Sequence, residues 1–307
     1  MNLLIGGTGF VGGHVVEYLF QQGEISKGTF RKGSYLKIMD SNGVQGIEAD
    51  LLDHHSLHEA MEGVDVVYNM ASPMPDTDTG FHRTNTEGIL NLLEVATEAK
   101  VKALVHLSTL DIHGFGAKSI DPFTAINPSD EYQKSKAEGE RLLVEFSKRS
   151  SSPRIAVIRS AKAIGSRDES LVVPILRMIQ RNRVILPTGG KMSFTHPRDI
   201  AQAMFKAGTG QVSSGSVYLI KSFDATPAEL VAAIMTSLGK DVKVRKQGFL
   251  SGSNFSRYTS EQLRASARID FQQSWAELDY APSYDLKKTS EELATWYRKE
   301  PWVTEGA

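Results

Sequence analysis

Through the first half of the chain, short apolar runs alternate with stretches whose apolar positions recur at helical spacing. Leu3–Ile5, Gln45–Ala49, Val64–Met70, Val101–Ser108 and Arg154–Arg159 read as strands. Another strand is expected near Ile25–Arg31, weakened by Gly28. The intervening pattern predicts helices over His14–Gln22, Ser56–Met61, Asn85–Ala99 and Glu131–Lys148, with Ser129 or Asp130 as cap of the last. Continuous apolar strands between amphipathic helices imply an α/β fold: a doubly wound parallel sheet covered on both faces. Ligands of such a sheet lie at the carboxyl ends of its strands.

After Arg159 the rhythm changes. Gly165–Ser170 and Pro187–Ser193 are loop-rich, and Thr226–Leu238 opens a late helical region. The expected division is a dinucleotide-binding domain over 1–164 plus 194–222, and a smaller substrate-binding lobe over 165–193 plus 223–307.

The first strand runs into Gly6-Gly7-Thr8-Gly9-Phe10-Val11-Gly12 and then a helical pattern. Strand, glycine turn and helix together suit a dinucleotide in a Rossmann-type sheet. A tight turn needs positive φ, a pyrophosphate needs close backbone approach, and the helix must pack near the strand. Free N–H groups at the helix start then face the phosphates. Later, Tyr132 precedes Lys136 by four positions, so both side chains lie on one helix face. A free phenol titrates near pH 10, and a neighbouring ammonium lowers that value. The strand Val101–Leu107 ends in Ser108-Thr109, where a hydroxyl can hold a substrate oxygen.

Composition adds limits. The 307 residues are 40% hydrophobic and 23% charged with net charge -1, which leaves no basic footprint for nucleic acid or an anionic membrane. No apolar run approaches a membrane span, and the chain opens on a strand rather than a leader, so a cytoplasmic location is expected. The absence of cysteine excludes disulfides, thiolate metal sites and cysteine nucleophiles. His82, His113 and His196 lack metal-ligand spacing, and no metal is expected.

Taken in order, these segments resemble the extended short-chain dehydrogenases/reductases, in the broad group of NAD-dependent epimerases/dehydratases, 3β-hydroxysteroid dehydrogenases and dihydroflavonol reductase-like proteins. The likeness spans about 200 residues. It rests on GGTGFVG at 6–12, Asp50-Leu51, Asn69-Met70-Ala71-Ser72, Asn85-Thr86-Glu87-Gly88, Leu107-Ser108-Thr109, Tyr132-Gln133-Lys134-Ser135-Lys136, Arg159-Ser160 and Phe194–Ala201, the last resembling a return to the sheet. The resemblance implies Thr109 as the hydroxyl residue, Tyr132 as acid/base, and Lys136 as the group that tunes Tyr132 and holds the nicotinamide ribose. It also implies that Gly6, Thr8, Gly9, Phe10, Val11 and Gly12 hold the pyrophosphate, and that Asp50 and Leu51 meet the adenine. Ala71, Ser72 and Ser108 would pass beside the cofactor, with Asn85 near the active site. Ser160 departs from the usual proline, Thr109 from the commoner serine, and Met70 and Ser72 from the usual small residues; no catalytic group is lost.

Between Glu24 and Asp40 there is no acid to bind a ribose 2′-hydroxyl, whereas Arg31 and Lys32 follow the second strand. NADP is therefore expected, with NAD as the alternative; the two cations would otherwise be solvated. From Arg159 to Asp199 eight basic residues face three acids, which suits either a nucleotide-sugar diphosphate or a solvated helix face. Phe81, Met192 and Phe194 are candidates for an apolar pocket. The leading expectation is hydride transfer between NADP(H) and a small carbonyl or alcohol. The alternatives are a nucleotide-sugar epimerase that retains NAD, less so a dehydratase because Leu110 separates Thr109 from Asp111, and a non-catalytic dinucleotide sensor. By resemblance, the two long helices could form a homodimer interface.

Overall fold

The computed structural model describes residues 1–31, 37–73, 75, 80–247 and 254–300. The chain begins with β1 (Asn2–Ile5), α1 (Phe10–Gln21), β2 (Ser26–Phe30), α2 (Lys37–Asp40), β3 (Gln45–Glu48), α3 (His54–Met61) and β4 (Val66–Asn69). A π-helical turn, Arg83–Glu87, leads into α4 (Gly88–Glu98) and then β5 (Ala103–Thr109). A 3-10 turn (Leu110–His113), β6 (Ser119–Ile120), α5 (Glu131–Ser147), β7 (Arg154–Ser160) and β8 (Lys162–Ala163) follow. The remainder comprises α6 (Val172–Gln180), β9 (Val184–Leu186), β10 (Met192–Thr195), α7 (Pro197–Thr209), β11 (Ser216–Ile220), β12 (Phe223–Ala225) and α8 (Pro227–Leu238). The described chain continues through β13 (Val244–Lys246), α9 (Arg257–Arg264), β14 (Arg268–Ile269), α10 (Gln272–Leu278) and α11 (Leu286–Lys299).

Seven strands form one parallel sheet in the order β11-β7-β5-β4-β1-β2-β3. The chain moves outward from β1 through β2 and β3, then returns to place β4 on the other side of β1. This reversal opens a crevice above the carboxyl ends of β1 and β4. One face is packed with Leu3, Val67, Leu104 and Val157 against α3 and α4; the other carries Leu4, Tyr68, Val105 and Ile158 against α1 and α7. That alternation along buried strands is why the sheet sequences are apolar throughout rather than at every second position.

Two sequence expectations are corrected. Phe194 and Thr195 lie in β10, which pairs with β8 and β12 in a separate three-stranded sheet; the return to the large sheet is made by β11. Also, α1 begins at Phe10, directly after the glycine turn, rather than at His14.

A second core gathers around α6, α8 and α11, with Ile175, Phe194, Leu230 and Leu293 at its centre. One part of the expected substrate lobe sits elsewhere. α10 packs on β11 and α7, placing Leu278 and Tyr280 in the core of the large sheet.

Candidate active site

Four backbone segments converge at the carboxyl edge of the sheet. Gly6, after β1, has φ +84°, and a side chain there would meet the Ala71 nitrogen at 2.7 Å. A methyl at Gly12 would lie 2.0 Å from the Gly6 carbonyl oxygen. The first requires left-handed backbone and the second requires helix and turn to touch, so both positions demand glycine. Gly9 is the N-cap of α1; its lack of a side chain leaves no cap, and no acid lies in the first turn. The N–H groups at this helix start are therefore available to an anion, and the turn fits a dinucleotide pyrophosphate. Thr8, Phe10 and Val11 complete the turn.

The segment after β4 is held from beneath, where Asn69 Oδ1 accepts from the Ala71 N–H at 3.1 Å. Ala71 thus abuts the glycine turn, while the next residue, Ser72, donates to the Pro73 carbonyl at 3.3 Å and lies near enough to the Tyr132 phenol to favour its ionised form. Asp50 and Leu51 follow β3; Asp50 caps its own turn through Leu52 N, and Leu51 is buried beneath α4 beside Gly88. Arg31 stands exposed immediately after β2, and Lys32 lies outside the described residues.

Thr109 ends β5 and caps the 3-10 turn, its Oγ1 accepting from Asp111 N at 3.1 Å. Ser108 is buried, with its hydroxyl unpartnered. Tyr132 and Lys136 lie in the first turns of α5, which Asp130 caps through Gln133 N at 2.8 Å. The helix is pressed onto the π-helical turn so closely that a side chain at Gly139 would strike the Asn85 carbonyl oxygen at 2.1 Å. Asn85 donates to Ser135 Oγ at 3.0 Å, and Ser135 donates in turn to the Tyr132 carbonyl at 2.8 Å. Asn85 therefore braces the turn of α5 that carries Tyr132.

The two ionisable side chains of this face differ in surroundings. Burial raises the Tyr132 phenol well above its usual value, and nearby Asp111 adds to the rise. Lys136 is lowered to about 8, chiefly by burial, with Glu140 opposing the shift. Its Nζ donates to the Leu107 carbonyl at 2.8 Å and lies 3.2 Å from His106 Nε2. Expected from resemblance to depress Tyr132, Lys136 here has these two as its hydrogen-bond partners.

Aromatic rings enclose Tyr132. Phe81 packs edge-on at 5.7 Å between centroids, Tyr258 does so at 5.5 Å from the other direction, and Phe115 packs on Tyr258 at 5.2 Å. Tyr258 and Gln262, on α9, both donate to Asp111 Oδ2, at 2.6 and 2.8 Å. Sequence reasoning missed Tyr258, Gln262, Phe115 and His106: three sit far along the chain or in a loop, and His106 hides in an apolar strand. Of the candidate pocket residues, Phe81 reaches Tyr132 and Met192 lines a neighbouring cleft, but Phe194 stacks on Phe223 in the second core.

Several cations of the 159–199 segment serve internal pairs. Arg159 forks onto Glu140 in the interior and donates to His113 Nε2 at 3.3 Å, while His113 Nδ1 reaches the Ala125 carbonyl. Arg167 pairs with Glu17 at 2.9 Å and Arg198 approaches the same carboxylate. His196 caps α7, stacks on Tyr284 at 3.6 Å and meets Glu292 at 3.2 Å. His82 is exposed, 3.7 Å from Glu87. Among the described residues, no helix is long and apolar enough to cross a membrane.

With this geometry in view, comparison with known proteins is informative. The family model "NAD dependent epimerase/dehydratase family" matches residues 2–220. A decarboxylating sterol-4-alpha-carboxylate 3-dehydrogenase of Homo sapiens is 31% identical over 198 residues, 62% of this chain and 50% of that protein. The chain thus spans about half the length of such curated relatives. The uncharacterized protein YbjS of Escherichia coli (strain K12) is 23% identical over 328 residues, covering 96% of this chain and 97% of that protein. The fold matches that of a UDP-glucose 4-epimerase from Stenotrophomonas maltophila with bound NAD, at TM-score 0.84 and 19% identity over 98% of both chains.

Proposed function

Since the chain belongs to the NAD dependent epimerase/dehydratase family, we propose that it is a nicotinamide-dependent oxidoreductase that interconverts a small carbonyl compound and its alcohol. The observation that carries this reading is the convergence at one sheet edge of an uncapped, glycine-lined helix start and a half-buried tyrosine walled by Phe81 and Tyr258. The dinucleotide supplies hydride exchange at its nicotinamide ring.

The residues divide the remaining work. Gly6, Gly9 and Gly12, with the N–H groups of Phe10 and Val11, hold the pyrophosphate. Asp50 and Leu51 border the adenine; Ala71, Ser72, Asn85 and Ser108 border the ribose and nicotinamide. Thr109 already accepts a backbone N–H, so its hydroxyl proton is free to hold a substrate oxygen. Tyr132 keeps its proton because burial and Asp111 oppose ionisation, which suits a donor to a carbonyl oxygen as hydride arrives at carbon. Lys136 fixes the ribose edge of the site.

Arg31 supports NADP as the cofactor: it stands exposed at the end of β2, where an acid would favour NAD. A dehydratase is disfavoured, since Asp111 is already engaged by Tyr258 and Gln262. The internal pairing of Arg159, Arg167 and Arg198 leaves less charge for a sugar diphosphate. A homodimer through the exposed faces of α4 and α5 accompanies this reading.

Identifying the dinucleotide carried by freshly purified protein tests it. An empty protein that binds NADPH much more tightly than NADH agrees with a reductase exchanging its cofactor every turnover. Firmly retained NAD instead argues for an epimerase cycle and removes Arg31 from its role.

A further inference from the structure

A chain of hydrogen bonds beneath the active site decides which atoms carry protons. Its members are Asn69 on β4, His106 and Leu107 on β5, and Lys136 on α5; the three side chains of Asn69, His106 and Lys136 are buried, with 0%, 2% and 3% of their surface exposed. The start of the chain is fixed by the backbone. Ala71 N–H is a donor, so the Asn69 atom facing it is the amide oxygen, at 3.1 Å. The Asn69 NH2 group then points to His106 Nδ1, also at 3.1 Å. A donor faces Nδ1, and Nδ1 must therefore accept. In a neutral imidazole the single ring proton then sits on Nε2.

That Nε2–H is aimed at Lys136 Nζ, 3.2 Å away. An ammonium has three donors and no acceptor, so an ammonium there would set proton against proton. A neutral amine has one lone pair for Nε2–H and retains protons for the Leu107 carbonyl at 2.8 Å and for a ligand. The alternatives fail on the same atoms. A doubly protonated His106 would confront the Asn69 NH2, and a flipped Asn69 amide would confront Ala71 N–H.

We propose that His106 is a positioning residue whose tautomer, set by Asn69 and Ala71, holds Lys136 as a neutral amine in the cofactor-free protein. The charged surroundings agree. On α5 itself Glu140 is the nearest carboxylate, and it is neutralised by Arg159 from β7. From the 3-10 turn, His113 bonds Arg159 and Asp111 is turned to Tyr258 and Gln262. The π-helical turn and α4 present His82, Arg83, Glu87, Glu94 and Glu98 on the exposed side. Among the described residues no carboxylate bonds Lys136; burial lowers His106 and brings Lys136 to about 8, and the opposing Nε2–H is the further influence that takes it to the neutral form. With its lone pair held by His106 Nε2–H, the amine offers a ligand N–H donors alone; that use at the cofactor side rests on the oxidoreductase reading, whereas the hydrogen-bond chain itself does not.

The test is nitrogen-15 and carbon-13 NMR of the full, cofactor-free protein labelled in histidine rings and lysine Cε, with His106→Phe and Lys136→Met to assign the signals. The expected result at neutral pH is the Nε2–H tautomer for His106 and a Lys136 Cε signal at the neutral-amine position, with its titration lying wholly on the acid side of neutrality. Asn69→Asp accepts from Nδ1–H instead, so it should switch His106 to the other tautomer and move the Lys136 titration upward by at least about one pH unit. If Asn69→Asp does not fold, His106→Phe should still raise that titration by removing the opposing N–H. An Nδ1–H or doubly protonated His106 in the unmodified protein, or a Lys136 that is still an ammonium at neutral pH, overturns the proposal. Loss of the oxidoreductase reading, through an active Tyr132→Phe protein, would leave these spectra unchanged.

Discussion

Tyr258 donates a hydrogen bond of 2.6 Å to Asp111 across a separation of 147 positions, and its ring also packs edge-on against Tyr132. One residue of α9 therefore ties the C-terminal lobe to the turn after β5 and walls Tyr132. Tyr258→Phe keeps the ring and deletes the bond, leaving a half-buried carboxylate short of a donor. We expect a stability loss of about 1–3 kcal/mol and a raised KM with a smaller change in kcat. Denaturant melts and steady-state kinetics check both.

Asp111 itself is raised above the usual carboxylate value, first by burial. A carboxyl raised in the folded state favours folding while protonated; that contribution is complete below the unfolded value and is lost as pH rises through the folded one. Asp111→Asn keeps an oxygen able to accept from Tyr258 and Gln262 without carrying charge. The variant should gain Tm relative to the parent as pH rises from acid to neutral, which melts over that range will show.

His14, on α1, is lowered to about 3, first by burial and then by Arg167, while its Nε2 meets the Ser166 carbonyl at 3.1 Å. The unfolded chain takes up a proton below pH 6.5, and the folded chain resists until about 3. Stability from this group is present above 6.5 and falls with acid by about 1.4 kcal/mol per pH unit across that window. His14→Gln can still donate to Ser166, and its melts should lose less stability between neutral pH and pH 5.

Arg159 and Glu140 form an interior ion pair in which each satisfies the other. Glu140→Ala strands the guanidinium and should cost about 3–5 kcal/mol. Glu140→Gln retains acceptor geometry and should cost less. Urea titrations rank the two.

The glycine turn was legible because its requirement is local: a Gly6 side chain would hit Ala71 and a Gly12 side chain would hit Gly6. The Tyr132 and Lys136 face was legible for the same reason, being set by one helical turn. The alternation of strands and helices carried most of the large sheet, since fully buried strands leave unbroken apolar runs. Pairing beyond it was hidden. Phe194 reads as another sheet residue, yet its strand pairs with β8 and β12, because register between distant short strands leaves no periodic mark. Asp111 was visible as a carboxylate near Thr109, but its partners on α9 lie about 150 positions away, and nothing local names them. His106 occupies an apolar strand, and only the orientation of Asn69 shows that its ring has directional work.

The most direct test is Tyr132→Phe. With a carbonyl substrate found by following nicotinamide absorbance, turnover of the parent and the variant is compared alongside NADPH affinity by calorimetry. Loss of turnover by at least about a hundredfold, with affinity little changed, is the expected result. Unchanged turnover would remove Tyr132 from the chemistry and contradict the proposed mechanism.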